Sequence, residues 1–206
     1  MTDDSITLDP PAQLKETRLM NHEGYLEGRL LVATPGVIGP LFQQSVIYLF
    51  AHNAGGAMGV VINKPLEGVH YTSLFAQVGI ELTPESKPIS IYHGGPVEES
   101  RGFVIHSCEY ESKDSVVQEN AISVTGSAGI LRDLAAGKGP DQSLLCIGYA
   151  GWAAGQLEAE IEANSWITVP ASPKLIFDTP DEHKWTLAAK ALGVDMWRYS
   201  STVGHA

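Results

Sequence analysis

Between Gln44 and Pro65 the chain reads QSVIYLFAHNAGGAMGVVINKP. Two apolar runs, Ser45–His52 and Met58–Asn63, flank Asn53-Ala54-Gly55-Gly56. Runs of β-branched and aromatic residues on either side of turn-forming residues predict a β-hairpin. Side chains alternate across a strand, and here both alternating sets are apolar, which predicts a hairpin covered on both faces. Such a hairpin is a core element around which the remaining chain is arranged. At its ends stand His52, Asn53, Asn63 and Lys64, polar residues that a doubly covered core does not require.

Read the same way, residues 1–24 form a loosely held lead broken by Pro10-Pro11, and a single domain spans 25–206. Continuous apolar character predicts a strand over Gly28–Ala33, and the prolines and glycines of Thr34–Pro40 predict a loop. Tyr71–Val78 reads as a short helix ended by Gly79, and Leu82–Pro88 as a loop. Ile89–His93 and Gly102–Ser107 read as a second hairpin turned by Gly94-Gly95-Pro96, and Ala121–Thr125 as an edge strand. Ser127 is placed to cap a helix reaching about Ala136, with Ile130, Leu131 and Leu134 on its buried face and Gly137 as its stop. A strand over Ser143–Tyr149 feeds, through the glycine-bearing loop Gly148–Gln156, a helix at about Ala154–Ala163. Its Leu157 and Ile161 face inward, and Glu158, Glu160 and Glu162 face water or partners. Trp166–Val169 is a short strand. Thr179-Pro180-Asp181-Glu182 reads as N-cap, first helical position and capping box of a helix carrying Trp185, Ala188, Ala189 and Leu192, stopped by Gly193. A final strand is expected around Met196–Tyr199. Hairpins early and helices late predict an α+β domain and not a doubly wound sheet.

Composition narrows the function classes. The 206 residues carry 24 acidic and 13 basic side chains, a net charge of −11, and no Lys/Arg cluster. Nucleic-acid binding draws on counterion release by a basic surface, so bulk DNA is not an expected partner. Cys108 and Cys146 match no metal or redox spacing, and Cys146 sits in an apolar run as a buried thiol. A cytoplasmic location is the expectation. MTDDSITLDPPAQ has no apolar core and does not read as a signal peptide, and no apolar run approaches the ~20 residues of a membrane span.

Motifs that name a reaction are absent. Gly148–Gln156 follows a strand and precedes a helix, a setting suited to phosphate, yet its glycine spacing fits neither the P-loop nor the dinucleotide fingerprint. Glu158 already occupies the favourable potential in the first turn there, and tight packing around Trp152 is the better reading. Gly137-Lys138-Gly139-Pro140 is a helix stop, and Gly126-Ser127-Ala128-Gly129 misses the nucleophile-elbow spacing. Among seven histidines no pair has zincin spacing; His93, His106 and Cys108 lie on adjacent predicted strands without the four ligands of structural zinc. No metal and no cofactor are expected.

Five long blocks resemble the AlgH/YqgE family of bacterial proteins: Gly28–Pro35 (GRLLVATP), Ser45–Leu66, Gly94–His106 (GGPVEESRGFVIH), Gly148–Pro170 and Phe177–Pro180 (FDTP). The resemblance implies an α+β fold with a strongly bent, mainly antiparallel sheet folded toward a pseudo-barrel and helices packed outside. It also implies a regulatory or accessory role, in transcription by the family's name, and hands over no catalytic residues. Where many relatives have Asp and Arg, this chain has Gly39 and Gln44, and His93 replaces an apolar residue. The leading expectation is a cytosolic protein that acts by binding a small molecule or a protein partner. The alternative is an enzyme with an unrecognised small-molecule site. Strand ends and turns present function on a scaffold, so the expected binding site combines His52, Asn63, Lys64, Gly94, Gly95, Tyr149, Trp152 and Gln156.

Overall fold

The organising hairpin forms where its pattern places it. In the computed structural model, which describes residues 24–113, 115–117, 120–191 and 193, β1 spans Arg29–Ala33, β2 Val46–Asn53 and β3 Gly56–Val61. β2 and β3 pair antiparallel through Asn53↔Gly56, with an irregularity between Leu49 and Ala51. Asn53 Oδ1 accepts from Gly55 N–H at 2.7 Å and closes the turn. Both faces are covered. Val46, Tyr48, Phe50, Val60 and Ile62 belong to one apolar cluster, and Ile47, Leu49 and Val61 to another on the opposite side. The expected lead at 1–24 (except Gly24), Leu192, the strand at 196–199, His22 and His205 lie outside the described residues.

Further along come α1 (Tyr71–Gln77), β4 (Ser90–His93), β5 (Val97–Ser107), β6 (Ser115–Val117), β7 (Ile122–Thr125) and α2 (Ala128–Ala135). β8 (Ser143–Ala153), α3 (Gln156–Glu162), β9 (Trp166–Pro170), a π-helical turn at Lys174–Asp178 and α4 (Asp181–Lys190) follow. The strands make one strongly curled, mainly antiparallel half-barrel in the order β6-β7-β5-β8-β3-β2-β1-β9, with β4 beside β8. The inner face holds the largest cluster, with Phe103, Ile105, Val124 and Cys146 from the sheet and Trp185, Ala188 and Ala189 from α4. α1 and α2 cover one half of the other face through Leu74, Phe75, Ile130, Leu131 and Leu134; α3 covers the other half through Leu157.

Several local expectations are corrected. The second hairpin does not form: β4 and β5 lie on opposite sides of β8, β4 pairing parallel with it and β5 antiparallel. The chain crosses β8 instead of turning back, and glycines allow the crossing. A Cβ on Gly95 would stand 2.0 Å from the Tyr149 carbonyl carbon, one on Gly94 2.4 Å from Gly148 O, and one on Gly148 2.2 Å from Gly95 O. Gly94 also ties the halves together, donating to Ile147 O at 2.7 Å and accepting from Val61 N–H at 2.8 Å. The expected loop Gly148–Gln156 is mostly strand, because Ala150 and Trp152 are buried in alternation with exposed Gly151 and Ala153. Ala121–Thr125 is not an edge: β7 lies between β5 and the short β6, which apolar pattern did not reveal. Ser127 and Thr179 cap nothing through their side chains; Thr179 Oγ1 donates to Lys174 O at 3.0 Å, and Pro180 holds the N-cap position of α4.

The crossing makes a stability prediction. Gly95→Ala should destabilise by about 1–3 kcal/mol or more, since the added methyl meets backbone that cannot yield. Gly151→Ala, whose methyl would meet Tyr149 Cε2 at 3.4 Å, an ordinary contact, should change stability by no more than about 0.5 kcal/mol. Urea unfolding midpoints of the two variants measure the contrast.

Candidate functional site

The eight expected site residues fall into two groups, one around the glycine crossing and one at the turn end of the hairpin, with Tyr149 and Trp152 three residues apart on β8. Asn63, Lys64, Gly94, Gly95 and Tyr149 gather at or near the end where β3 and β4 meet β8. Asn63 is 8% exposed and satisfied by backbone: Oδ1 accepts from Val46 N–H at 2.8 Å and Nδ2 donates to Gln44 O at 2.9 Å. Gln44 has φ +55, so the amide pins a left-handed backbone at the entry to β2. Lys64 is half-buried, and its carbonyl accepts from His93 N–H at 2.9 Å. Gly94 and Gly95 are occupied with the crossing itself. Tyr149 Oη donates to Glu98 Oε1 at 3.0 Å, and Arg101 pairs with the same carboxylate. Burial raises the Tyr149 hydroxyl's pKa, and the bond to and charge of Glu98 raise it further. Glu98 has φ +46 and belongs to the extra residues that bulge out of β5 between Val97 and Gly102.

His52, Trp152 and Gln156 gather at the turn end. His52 is 3% exposed; its Nδ1 accepts from Leu26 N–H at 3.0 Å, so Nε2 carries the proton that it donates to Glu158 Oε1 at 2.9 Å. Glu158 titrates below the ordinary carboxylate value, first through its own backbone N–H at the start of α3, with burial opposing and the His52 bond adding to the fall. Gln156 Oε1 accepts from Ala153 N–H at 3.0 Å, and its Nε2 donates to Glu160 Oε1 at 2.8 Å.

Trp152 and Gln156 open onto a groove of about 360 Å³. The loop after β1 supplies Gly36, Val37, Ile38 and Phe42, the start of β5 supplies Pro96 and Val97, and Trp166 and Glu160 complete the wall. Trp166 stands nearly perpendicular to both Trp152 and Phe42, at 84° and 86°, with ring centroids 6.1 Å away in each pair. Glu160 Oε2 accepts from both indoles, at 2.9 Å from Trp152 and 2.7 Å from Trp166. Burial raises the Glu160 carboxyl's pKa, but the Trp166, Gln156 and Trp152 donors outweigh it, and the group ends below its ordinary value. Glu160 is the residue that sequence reasoning missed, assigned outward with Glu158 and Glu162. The available signal was its spacing: four residues after Gln156, eight after Trp152 and six before Trp166.

A second polar cluster also escaped sequence reading. Lys184, 2% exposed, donates to Ile62 O and Asp181 Oδ1, both at 2.8 Å, and lies 5.1 Å from the centroid of the Tyr92 ring. Tyr92 Oη donates to Asp181 at 3.2 Å; burial raises its pKa first, and the Asp181 charge adds. Burial likewise raises the Cys146 thiol, with Lys184 opposing. A cavity of about 310 Å³ begins at Tyr92 and runs between Lys87, Gln142 and Phe177. His106 donates through Nδ1 to Ser107 O and meets Thr125 Oγ1 at Nε2, both at 2.9 Å. Among the described residues no three His, Cys, Asp or Glu side chains gather as a metal site would need, and no helix is long and apolar enough to cross a membrane.

A curled half-barrel with a helix against its inner face and helices on the outside places the molecule among α+β domains of one recognisable architecture. The chain belongs to the AlgH-like family, whose model matches residues 30–197. It is similar to a UPF0301 protein of Rhodospirillum rubrum, at 44% identity over 92% of this chain and 99% of the relative. A UPF0301 protein of Jannaschia is 45% identical over 88% of this chain and 95% of its own length. Of solved structures, the AlgH protein from Pseudomonas aeruginosa matches with a TM-score of 0.71 and 40% identity, covering 91% of this chain and 99% of that one. Protein DIP2367 from Corynebacterium diphtheriae, 21% identical, matches with a TM-score of 0.71 over 91% and 97% of the two chains and shares the fold.

Two expectations follow from these geometries. Asn63→Ala should cost roughly 1–3 kcal/mol by stranding the buried Val46 N–H, whereas Lys64→Ala should leave the unfolding midpoint nearly unchanged. The Glu160 carboxyl titrates lower folded than at its ordinary 4.5, so its stabilising contribution is complete above that value and is lost as pH falls through the folded value. Urea midpoints followed from about pH 5 to about pH 3 should therefore fall less steeply in Glu160→Gln than in the parent. Equal slopes would show that the Glu160 hydrogen bonds do not favour the charged form.

Proposed function

We propose that this protein acts by binding, as a regulatory or accessory protein of the cytosol, and takes its ligand in the groove beside Trp152 and Trp166. The observation that carries this reading is the groove itself: about 360 Å³ of space with aromatic and aliphatic walls and one charged lining residue. That volume lies in the range of small-molecule sites. Its polar lining groups are already fixed by one another, which suits orienting a ligand; Glu160 is held by Trp152, Trp166 and Gln156 and not by a nucleophile awaiting a base. A role in transcription would run through such a ligand or through a protein partner, since a chain of net charge −11 gains little on bulk DNA. Ile38, 84% exposed on the rim, favours a second reading in which a partner protein closes over the groove.

A thermal-shift screen with metabolites and nucleotides tests the reading when run on the parent and on Gly36→Leu. The added Cβ at Gly36 meets only Thr34 Oγ1, at 3.8 Å, so a side chain has room to start there at the groove wall. Ligands that raise the parent's melting temperature should lose their effect in the variant; at a hundredfold excess over Kd the lost stabilisation is about 2.7 kcal/mol. Hits that stabilise both proteins equally would place binding elsewhere.

A further inference from the structure

We infer that the groove recognises an organic cation: an alkylated ammonium or a guanidinium group attached to an apolar body. This deepens the binding reading and rests on it. Three features of the groove converge. The first is charge. Glu160 is held below its ordinary value and is therefore an anion at neutral pH, yet all three of its bonded partners, two indoles and one amide, are neutral donors. Among the described residues no Lys, Arg or His pairs with it, and no lining residue is basic. A partly buried carboxylate without a counter-ion is a standing attraction for a cation.

The second feature is the aromatic wall. Phe42, Trp166 and Trp152 line the same space, with Trp166 at right angles to its two neighbours. A cation that enters the groove to reach Glu160 therefore meets aromatic rings as well as a carboxylate. The third feature is the surroundings. The chain carries a net charge of −11, so the field around a groove with no basic lining residue favours cations. Val37, Ile38 and Pro96 supply contact for the apolar remainder of the ligand.

The test titrates the full-length protein and follows intrinsic tryptophan fluorescence. Choline and benzyltrimethylammonium are the free-cation probes; 3,3-dimethylbutanol and neopentylbenzene are their uncharged isosteres. Short peptides with a central Lys or Arg, against the same peptides with Met, ask whether the cation comes from a protein side chain. Each cation should bind at least about tenfold more tightly than its isostere, a ratio within what a desolvated cation–aromatic contact supplies. Glu160→Gln should lower that ratio while the isosteres bind as before. Ile38→Arg, at a position 84% exposed, should weaken the cations more than the isosteres even if Glu160→Gln folds poorly. Whichever of the free cations or the peptides binds more tightly identifies the source. Isosteres that bind as well as the cations, with both lost in Gly36→Leu, would overturn the cation while leaving the groove as the site. Cation binding untouched by Gly36→Leu and by Ile38→Arg would overturn both.

Discussion

The structure depends on β8 being shared. Its first half is flanked by β4 and β5 and its second half pairs with β3, so both parts of the half-barrel hydrogen-bond to one continuous strand. That sharing requires the chain leaving β4 to pass over β8 at backbone contact distance, and backbone can approach backbone so closely only where Cβ atoms are missing. Gly94, Gly95 and Gly148 are therefore a structural joint. The joint has a consequence for the groove, because it fixes where Pro96 and Val97 emerge and so sets one wall of it.

What the sequence disclosed follows the physics of each signal. The hairpin was legible because periodicity and turn chemistry agree from Ser45 to Asn63. The parallel β4–β8 pair was not legible, because Gly94-Gly95-Pro96 has the composition of a turn and nothing local separates a turn from a crossing. The strand character of Gly148–Ala153 was masked by Gly151 and by Gly148, which serves close approach instead of a loop. The caps assigned to Ser127 and Thr179 rested on residue type, and capping needs side-chain geometry that type does not guarantee.

The candidate site shows the same division. Trp152 and Gln156 were found because they stand near a strand–helix junction, where scaffolds present side chains. His52 was found with them, but it faces Leu26 and Glu158 and not the groove. Asn63, which is polar in apolar surroundings, belongs to the backbone at the other end of the hairpin. Glu160 stayed hidden because its importance comes from partners on three elements, β8, α3 and β9, which only the assembled fold brings together.

α4 carries an implication for how the molecule is made. Lys184 reaches Ile62 O across 122 residues of sequence, and Trp185 Nε1 donates to Ala33 O, 2.7 Å away, across 152. β1, β2 and β3 therefore wait for α4, far along the chain, before their inner face is closed. During that interval Leu30, Val32, Tyr48 and Phe50 have no lid. A chain of such long-range closure folds slowly and late, and its nascent form is the one most in need of chaperone protection.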